Sequence, residues 1–249
     1  MAVHVLAGLG LCLVLAGWSL AFYCFGHDLR LSLPALLRQP LLGGNHSAPS
    51  AAPPLPSVLM LGPSGAGKST LFHAALKLAG EDAGEAAATA TAPTRGLVRR
   101  VLRMPSSNRH QEVVLCDAGG QRQQRRQWVE LVRAPALVGA LVFVADVSDG
   151  SNDTLELFRQ LANAKWASRA TLLLALSHVD KCDGTPDEVR AACERRVAEY
   201  RAACHHPFGV HRLCCFDGDA SRSLLTEAVD GARVAAAAAA SSRQHDVLL

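Results

Sequence analysis

Gly62-Pro63-Ser64-Gly65-Ala66-Gly67-Lys68-Ser69 meets every fixed position of the phosphate-loop pattern G-x-x-x-x-G-K-[ST]. The run before it, Val58-Leu59-Met60-Leu61, reads as a short buried strand. The run after it, Thr70-Leu71-Phe72-His73-Ala74-Ala75-Leu76, reads as the start of a helix. A phosphate loop needs that strand–loop–helix setting. Its glycines let successive backbone N–H groups turn inward around a phosphate, and the helix N-terminus adds partial positive charge. Lys68 is expected to reach the β- and γ-phosphates of a nucleotide and Ser69 to place its hydroxyl on Mg²⁺. A glycine-rich turn with a chance Lys-Ser pair would explain neither flank.

A second stretch fits the first. Val113-Val114-Leu115-Cys116-Asp117 reads as a buried strand ending in a carboxylate, followed at once by Ala118-Gly119-Gly120-Gln121. Asp117 is expected to hold Mg²⁺, usually through water. Gly120 completes D-x-x-G, where a backbone N–H can approach the γ-phosphate with no side chain in the way. Gln121 stands where a residue must orient an attacking water. An ordinary strand and Gly-Gly turn accounts for the glycines, not for the Asp and Gln that bracket them. Leu141-Val142-Phe143-Val144-Ala145-Asp146 and Thr171-Leu172-Leu173-Leu174-Ala175-Leu176 read as further buried strands. The pattern predicts an α/β fold: a mostly parallel sheet with helices on both faces.

With Arg125 and Trp128 downstream, Asp117-Ala118-Gly119-Gly120-Gln121 resembles switch II of ADP-ribosylation-factor-like GTPases and of heterotrimeric G-protein α subunits. Thr91-Ala92-Pro93-Thr94-Arg95-Gly96 is similar to the T-x-P-T-x-G of switch I in the ADP-ribosylation-factor group. A G-protein α subunit would need a large helical insertion before switch I, and the chain has no room for one. The resemblance covers roughly residues 57–232 and implies a small-GTPase fold binding GTP/GDP with Mg²⁺. It implies nucleotide contacts from Gly62, Gly65, Ala66, Gly67, Lys68, Ser69, Thr70 and Gly120. Metal contacts fall to Ser69, Thr94 and Asp117, and Gln121 is the catalytic group. At the guanine end, Ser177-His178-Val179-Asp180 stands where the family has N-K-x-D. Ser177, His178 and Asp180 are expected at the base, with Asp180 accepting from guanine N1–H and N2–H₂. His178 lacks the long aliphatic stem of Lys, so guanine specificity rests mainly on Asp180. The last family motif falls near Cys214-Cys215-Phe216, a loose match that places Cys215 by the base.

The remaining sequence bounds the setting. Net charge is only +3 and aromatics are 5% of 249 residues, which gives no case for nucleic acid. The eight cysteines form no C-x-x-C pair and read as reduced thiols, and Cys204-His205-His206 lacks four-ligand metal spacing. Residues 5–25 carry no charge, are long enough to cross a bilayer core of roughly 30 Å, and end in Trp18, Phe22, Tyr23 and Phe25. Arg30 and Arg38 against Asp28 predict that the bulk of the chain lies in the cytosol. A cleaved signal peptide at Ser19-Leu20-Ala21 and a buried core helix are the competing readings. The predicted layout is an anchor with flanks at 1–30, a Pro/Gly/Ser/Ala linker at 31–56, a GTPase domain at 57–234 and an Ala-rich tail at 235–249 that extends the last helix.

The resemblance thus implies a membrane-anchored GTP/GDP switch in trafficking or targeting, on an endomembrane such as ER or Golgi. Its partners would be nucleotide-dependent effectors, an exchange factor and a GTPase-activating protein. The signal-recognition-particle receptor β subunit family shares this layout and is the alternative. A pseudo-GTPase docking scaffold is a second one, since the guanine motif is degraded.

Overall fold

The computed structural model describes residues 55–81, 93–107, 110–133, 139–214 and 218–246. The proposed membrane segment, Thr91, Ala92 and Cys215 lie outside the described residues. Among the described residues no helix is long and apolar enough to cross a membrane.

The strands are β1 (Ser57–Leu61), β2 (Leu97–Pro105), β3 (His110–Ala118), β4 (Ala140–Asp146), β5 (Thr171–Ser177) and β6 (Gly209–Arg212). They form one sheet in the order β2-β3-β1-β4-β5-β6. β1 runs parallel to β3 and β4, with Leu59 level with Cys116 and Leu141, and the parallel pairing continues through β5 to β6. Among the described strands only β2 is antiparallel to its neighbour, folding back on β3 as a long two-stranded arm. β1 is buried at all five residues, and β4 and β5 at six of seven each. That explains the unbroken apolar runs in the sequence: strands covered on both faces have no polar side to alternate with.

The helices are α1 (Lys68–Leu78), α2 (Arg122–Arg125), α3 (Trp128–Arg133), α4 (Asn152–Ala162), α5 (Pro186–Ala203) and α6 (Gly218–Asp246). Strand side chains alternate between two cores. Val58, Met60, Val142, Val144 and Leu173 meet Leu71, Phe72 and Ala75 of α1 and Leu224, Ala228 and Val229 of α6. Leu59, Leu61, Leu141, Phe143 and Leu174 meet Trp128 of α3, Phe158 of α4, and Val197 and Tyr200 of α5. Phe158 sits edge-on to both Phe143 and Tyr200, at centroid distances of 5.3 and 4.8 Å. Such pairs add about 0.5–1.5 kcal/mol beyond area burial. α5 starts at a capping box: Thr185 accepts from the Glu188 amide, and Glu188 accepts from the Thr185 amide at 2.7 Å. The alanine run continues α6, which reaches Asp246.

Candidate nucleotide site at the carboxyl ends of the strands

The carboxyl ends of β1, β3, β4 and β5 face the same way, and the phosphate loop, the Asp117–Gln121 stretch and the Ser177–Asp180 stretch lie at the ends of β1, β3 and β5, while Thr94 enters from the segment before β2. Ligands of open parallel sheets bind at that edge. After β1 the chain turns through the phosphate loop into α1, whose N-cap is Gly67 with φ 87°. That left-handed conformation suits glycine, and it lets the helix begin with its N–H groups aimed into the loop. A Cβ built on Gly67 would lie 3.6 Å from the Cβ of Ser177, so the loop rests against the carboxyl end of β5.

Lys68 is only 5% exposed, and its Nζ donates to the Pro63 carbonyl at 2.6 Å. Burial pulls its ammonium down to about 8. Asp117 opposes that shift and Arg125 adds to it. The lysine thus lies folded across the mouth of its own loop, with one donor engaged and a charge that a phosphate would stabilise.

Three segments far apart in sequence converge beside it. Ser69 Oγ lies 3.0 Å from Thr94 Oγ1, and both hydroxyls donate to Asp117 Oδ2, at 3.0 and 3.1 Å. Asp117 is 2% exposed, and its Oδ1 is buried without a hydrogen-bond partner. Burial raises its pKa, against the Ser69 hydroxyl, the Lys68 charge and the Thr94 hydroxyl. A buried carboxylate oxygen left bare is costly unless a proton, water or cation meets it. Two hydroxyls and a carboxylate are hard oxygen ligands of the kind that suit Mg²⁺ beside phosphates. The donor set fits the cation that the motifs imply.

The strand β3 delivers the next group. Ser64 N–H donates to the Gly120 carbonyl at 3.1 Å, bringing the phosphate loop onto the turn after Asp117. A Cβ on Gly120 would come within 2.6 Å of the Gly62 carbonyl oxygen, of Lys68 Nζ and of the Pro63 carbonyl carbon. Only a hydrogen fits there. Gln121, the predicted water-orienting residue, is the extended N-cap of α2, half-buried at the edge of this cluster. Trp128 Nε1 donates to the Gly119 carbonyl and Arg125 Nε to the Gly120 carbonyl, each at 3.1 Å. These two residues of the motif brace the turn from behind. Arg125 is therefore tied into the turn, while Arg122 forms an exposed ion pair with Asp153.

At the guanine end, Ser177 is buried and donates to the Ala145 carbonyl at 3.2 Å. His178 has φ 57° and places its Nδ1 2.8 Å from Asp146 Oδ2. Burial pushes the Asp146 carboxyl up. Hydrogen bonds from Ser148 and His178 outweigh that and hold it below the ordinary carboxylate range. Asp180 is exposed in the short 3₁₀ turn Val179–Lys181.

The structure thus gathers Lys68, Ser69, Thr94, Asp117 and Gly120 around one pole, with the loop Gly62–Gly67 leading into it, exposed Thr70 following Ser69 in α1, and Gln121 following Gly120. Ser177 and His178 lie at the neighbouring strand ends. Sequence reasoning missed two parts of this arrangement. The Asp146–His178 pair had no signal beyond a carboxylate at a strand end. Gln124, in the first turn of α2, meets both Thr94 and Gly96 and belongs to no motif.

A six-stranded, mostly parallel sheet with a phosphate loop after its first strand defines a nucleotide-binding protein of the phosphate-loop class. A profile of the ADP-ribosylation factor family matches residues 56–227, and the chain belongs to that family. Similar curated proteins include the guanine nucleotide-binding protein alpha-6 subunit of Dictyostelium discoideum, 26% identical over 35% of this chain and 26% of that protein. The alpha-15 subunit of Caenorhabditis briggsae is 27% identical over 35% of this chain and 26% of its own length. The alpha subunit of Candida albicans (strain WO-1) is 24% identical over 46% of this chain and 33% of its own length. The chain therefore spans a quarter to a third of the length of these relatives.

Proposed function

We propose that this protein is a membrane-anchored GTP/GDP switch of the ADP-ribosylation-factor-like type, acting in membrane trafficking or targeting. The observation that carries the reading is the meeting of Ser69, Thr94 and Asp117 within 3.1 Å, next to a buried Lys68. Each residue comes from a different motif, and a structural role alone would not gather two hydroxyls around a carboxylate whose second oxygen is bare.

Ser69, Thr94 and Asp117 would hold Mg²⁺, which when bound would supply positive charge against the phosphates. The chain's own groups do the rest. Phosphate-loop amides and Lys68 hold the phosphates. Thr94 and the Gly120 amide report the γ-phosphate, so that its loss frees both segments. Gln121 orients water for hydrolysis. With no arginine finger identifiable in cis among the described residues, turnover is expected to be slow, and a trans arginine typically adds ~10³–10⁵ in rate. Nucleotide-dependent effectors, an exchange factor and a GTPase-activating protein follow from this scheme. Asp180 favours guanine through its acceptors. Nucleotide content of the purified full-length protein, with and without excess Mg²⁺, tests the reading: co-purified GDP or GTP that chelation releases supports it, and a nucleotide-free protein that takes up neither refutes it.

The anchor rests on the uncharged residues 5–25, and a cytosolic GTPase domain rests on Arg30 and Arg38. Protease added to sealed microsomes is expected to digest residues 57–249; full protection would refute the orientation. One observation favours the docking-scaffold alternative. His178 is turned onto Asp146, so the side chain at the position that carries Lys in the family is engaged in an intramolecular contact.

A further inference from the structure

We propose that Gln124 is a positioning residue that clamps the two phosphate-facing segments together when Thr94 stands at the metal pole. The inference rests on the GTP/GDP-switch reading and names a residue that no motif contains. Gln124 lies in α2, three residues after Gln121, and its backbone N–H donates to the Gln121 carbonyl at 2.9 Å. With the side-chain amide oriented so that its donor meets an acceptor, Nε2 donates to the Thr94 carbonyl at 3.1 Å and Oε1 accepts from the Gly96 N–H at 3.0 Å. Beside it, Gly119 N–H donates to the Gly96 carbonyl at 2.8 Å. A Cβ on Gly119 would collide with the Gln124 amide and fall 2.6 Å from the Thr94 carbonyl oxygen, so the approach needs the glycine.

The clamp grips the backbone of the same residue whose hydroxyl joins Ser69 and Asp117. If Thr94 withdraws from that pole, its carbonyl moves and the amide loses its acceptor. A contact made only in the engaged state stabilises that state, and by linkage it favours any ligand that needs Thr94 engaged. A triphosphate with its cation needs Thr94; a diphosphate does not. The chemistry also selects the residue type. The two contacts need a donor and an acceptor on one planar group, which an amide supplies and a carboxylate does not.

The test measures the affinities of full-length protein in detergent for fluorescent GDP and for a fluorescent non-hydrolysable GTP analogue, both in saturating Mg²⁺. Wild type is compared with Gln124→Ala and Gln124→Glu. Both variants are expected to lower the ratio of GTP-analogue to GDP affinity roughly ten-fold, the scale of one or two hydrogen bonds, with GDP affinity nearly unchanged. The glutamate should not rescue, because its carboxylate faces the Thr94 carbonyl. An unchanged ratio in both variants overturns the proposal, as does an equal loss for both nucleotides, which would mark general damage to the fold. A wild type that binds neither nucleotide would instead sink the switch reading on which the clamp depends.

Discussion

The hydroxyls of Ser69 and Thr94 lie 3.0 Å apart although 25 positions of sequence separate them, and Asp117 accepts from both. One residue leads a helix, one precedes an edge strand and one ends a central strand. If this is a Mg²⁺ pole, each ligand is separately testable. Thr94→Ala is expected to weaken GTP-analogue binding in Mg²⁺ while GDP binding changes much less. The loss should be at least that of an outer-shell metal partner, ~10–100-fold in metal affinity. Mg²⁺ titration of analogue affinity reads it directly, and equal Mg²⁺ dependence in wild type and variant would remove Thr94 from the pole.

Gly120→Ala is expected to destabilise the site itself. The added methyl would lie 2.6 Å from the Gly62 carbonyl oxygen and from Lys68 Nζ, so the phosphate loop and the turn after β3 must part. Forced overpacking of this kind costs about 1–3 kcal/mol. At about 2–4 °C per kcal/mol for a domain of this size, a thermal melt resolves it. A variant that melts with wild type and keeps its GTP affinity would show that the closed arrangement is not the one that binds.

Much of this was legible because the motifs are contiguous in sequence. The phosphate loop announced itself with its strand and helix, and the fully apolar runs of β1, β4 and β5 announced a sheet covered on both faces. The antiparallel edge strand β2 was less visible. Its sequence, Leu97–Pro105, mixes three arginines with valines, and its pattern of partial exposure comes from lying at the edge. Gln124 carried no signal, and Asp146 showed only as a carboxylate at the end of a strand, because their partners Thr94, Gly96 and His178 lie 28 or more positions away in sequence.

The far end of the β2–β3 arm gives a pH-dependent expectation. Asp230 of α6 accepts from the Ser106 hydroxyl at 2.6 Å and from the Ser107 amide at 3.2 Å, fastening the turn to the helix. Burial raises its carboxyl, but these bonds prevail and hold it below the ordinary range. A carboxyl depressed in the folded state contributes stability above its unfolded value, near 4, and loses it as pH falls through the folded value. Asp230→Asn should therefore cost about 0.5–1 kcal/mol at neutral pH, at the low end because solvent screens the pair. Denaturant midpoints should converge for the two proteins as pH falls below the depressed folded value. A difference that persists unchanged in acid would mean the carboxylate is not what holds the turn.

Turnover separates a switch from a scaffold. Gln121→Leu is expected to slow single-turnover hydrolysis of preloaded GTP while leaving GTP affinity nearly unchanged, because the residue positions water and not phosphate. Unassisted wild-type turnover should be slow, on the order of minutes to hours. Identical rates for the two proteins would favour the docking-scaffold reading.

The central claim is that the pole formed by Lys68, Ser69, Thr94 and Asp117 holds a guanine nucleotide. Competition against a fluorescent GDP analogue on the full-length protein in Mg²⁺ measures this most directly. GTP and GDP should displace the probe and ATP should fail at comparable concentrations, since Asp180 offers acceptors to guanine N1–H and N2–H₂ and adenine carries neither donor. Lys68→Ala should abolish most probe binding. Displacement by ATP as potent as that by GDP, or probe binding that survives Lys68→Ala, would contradict the account.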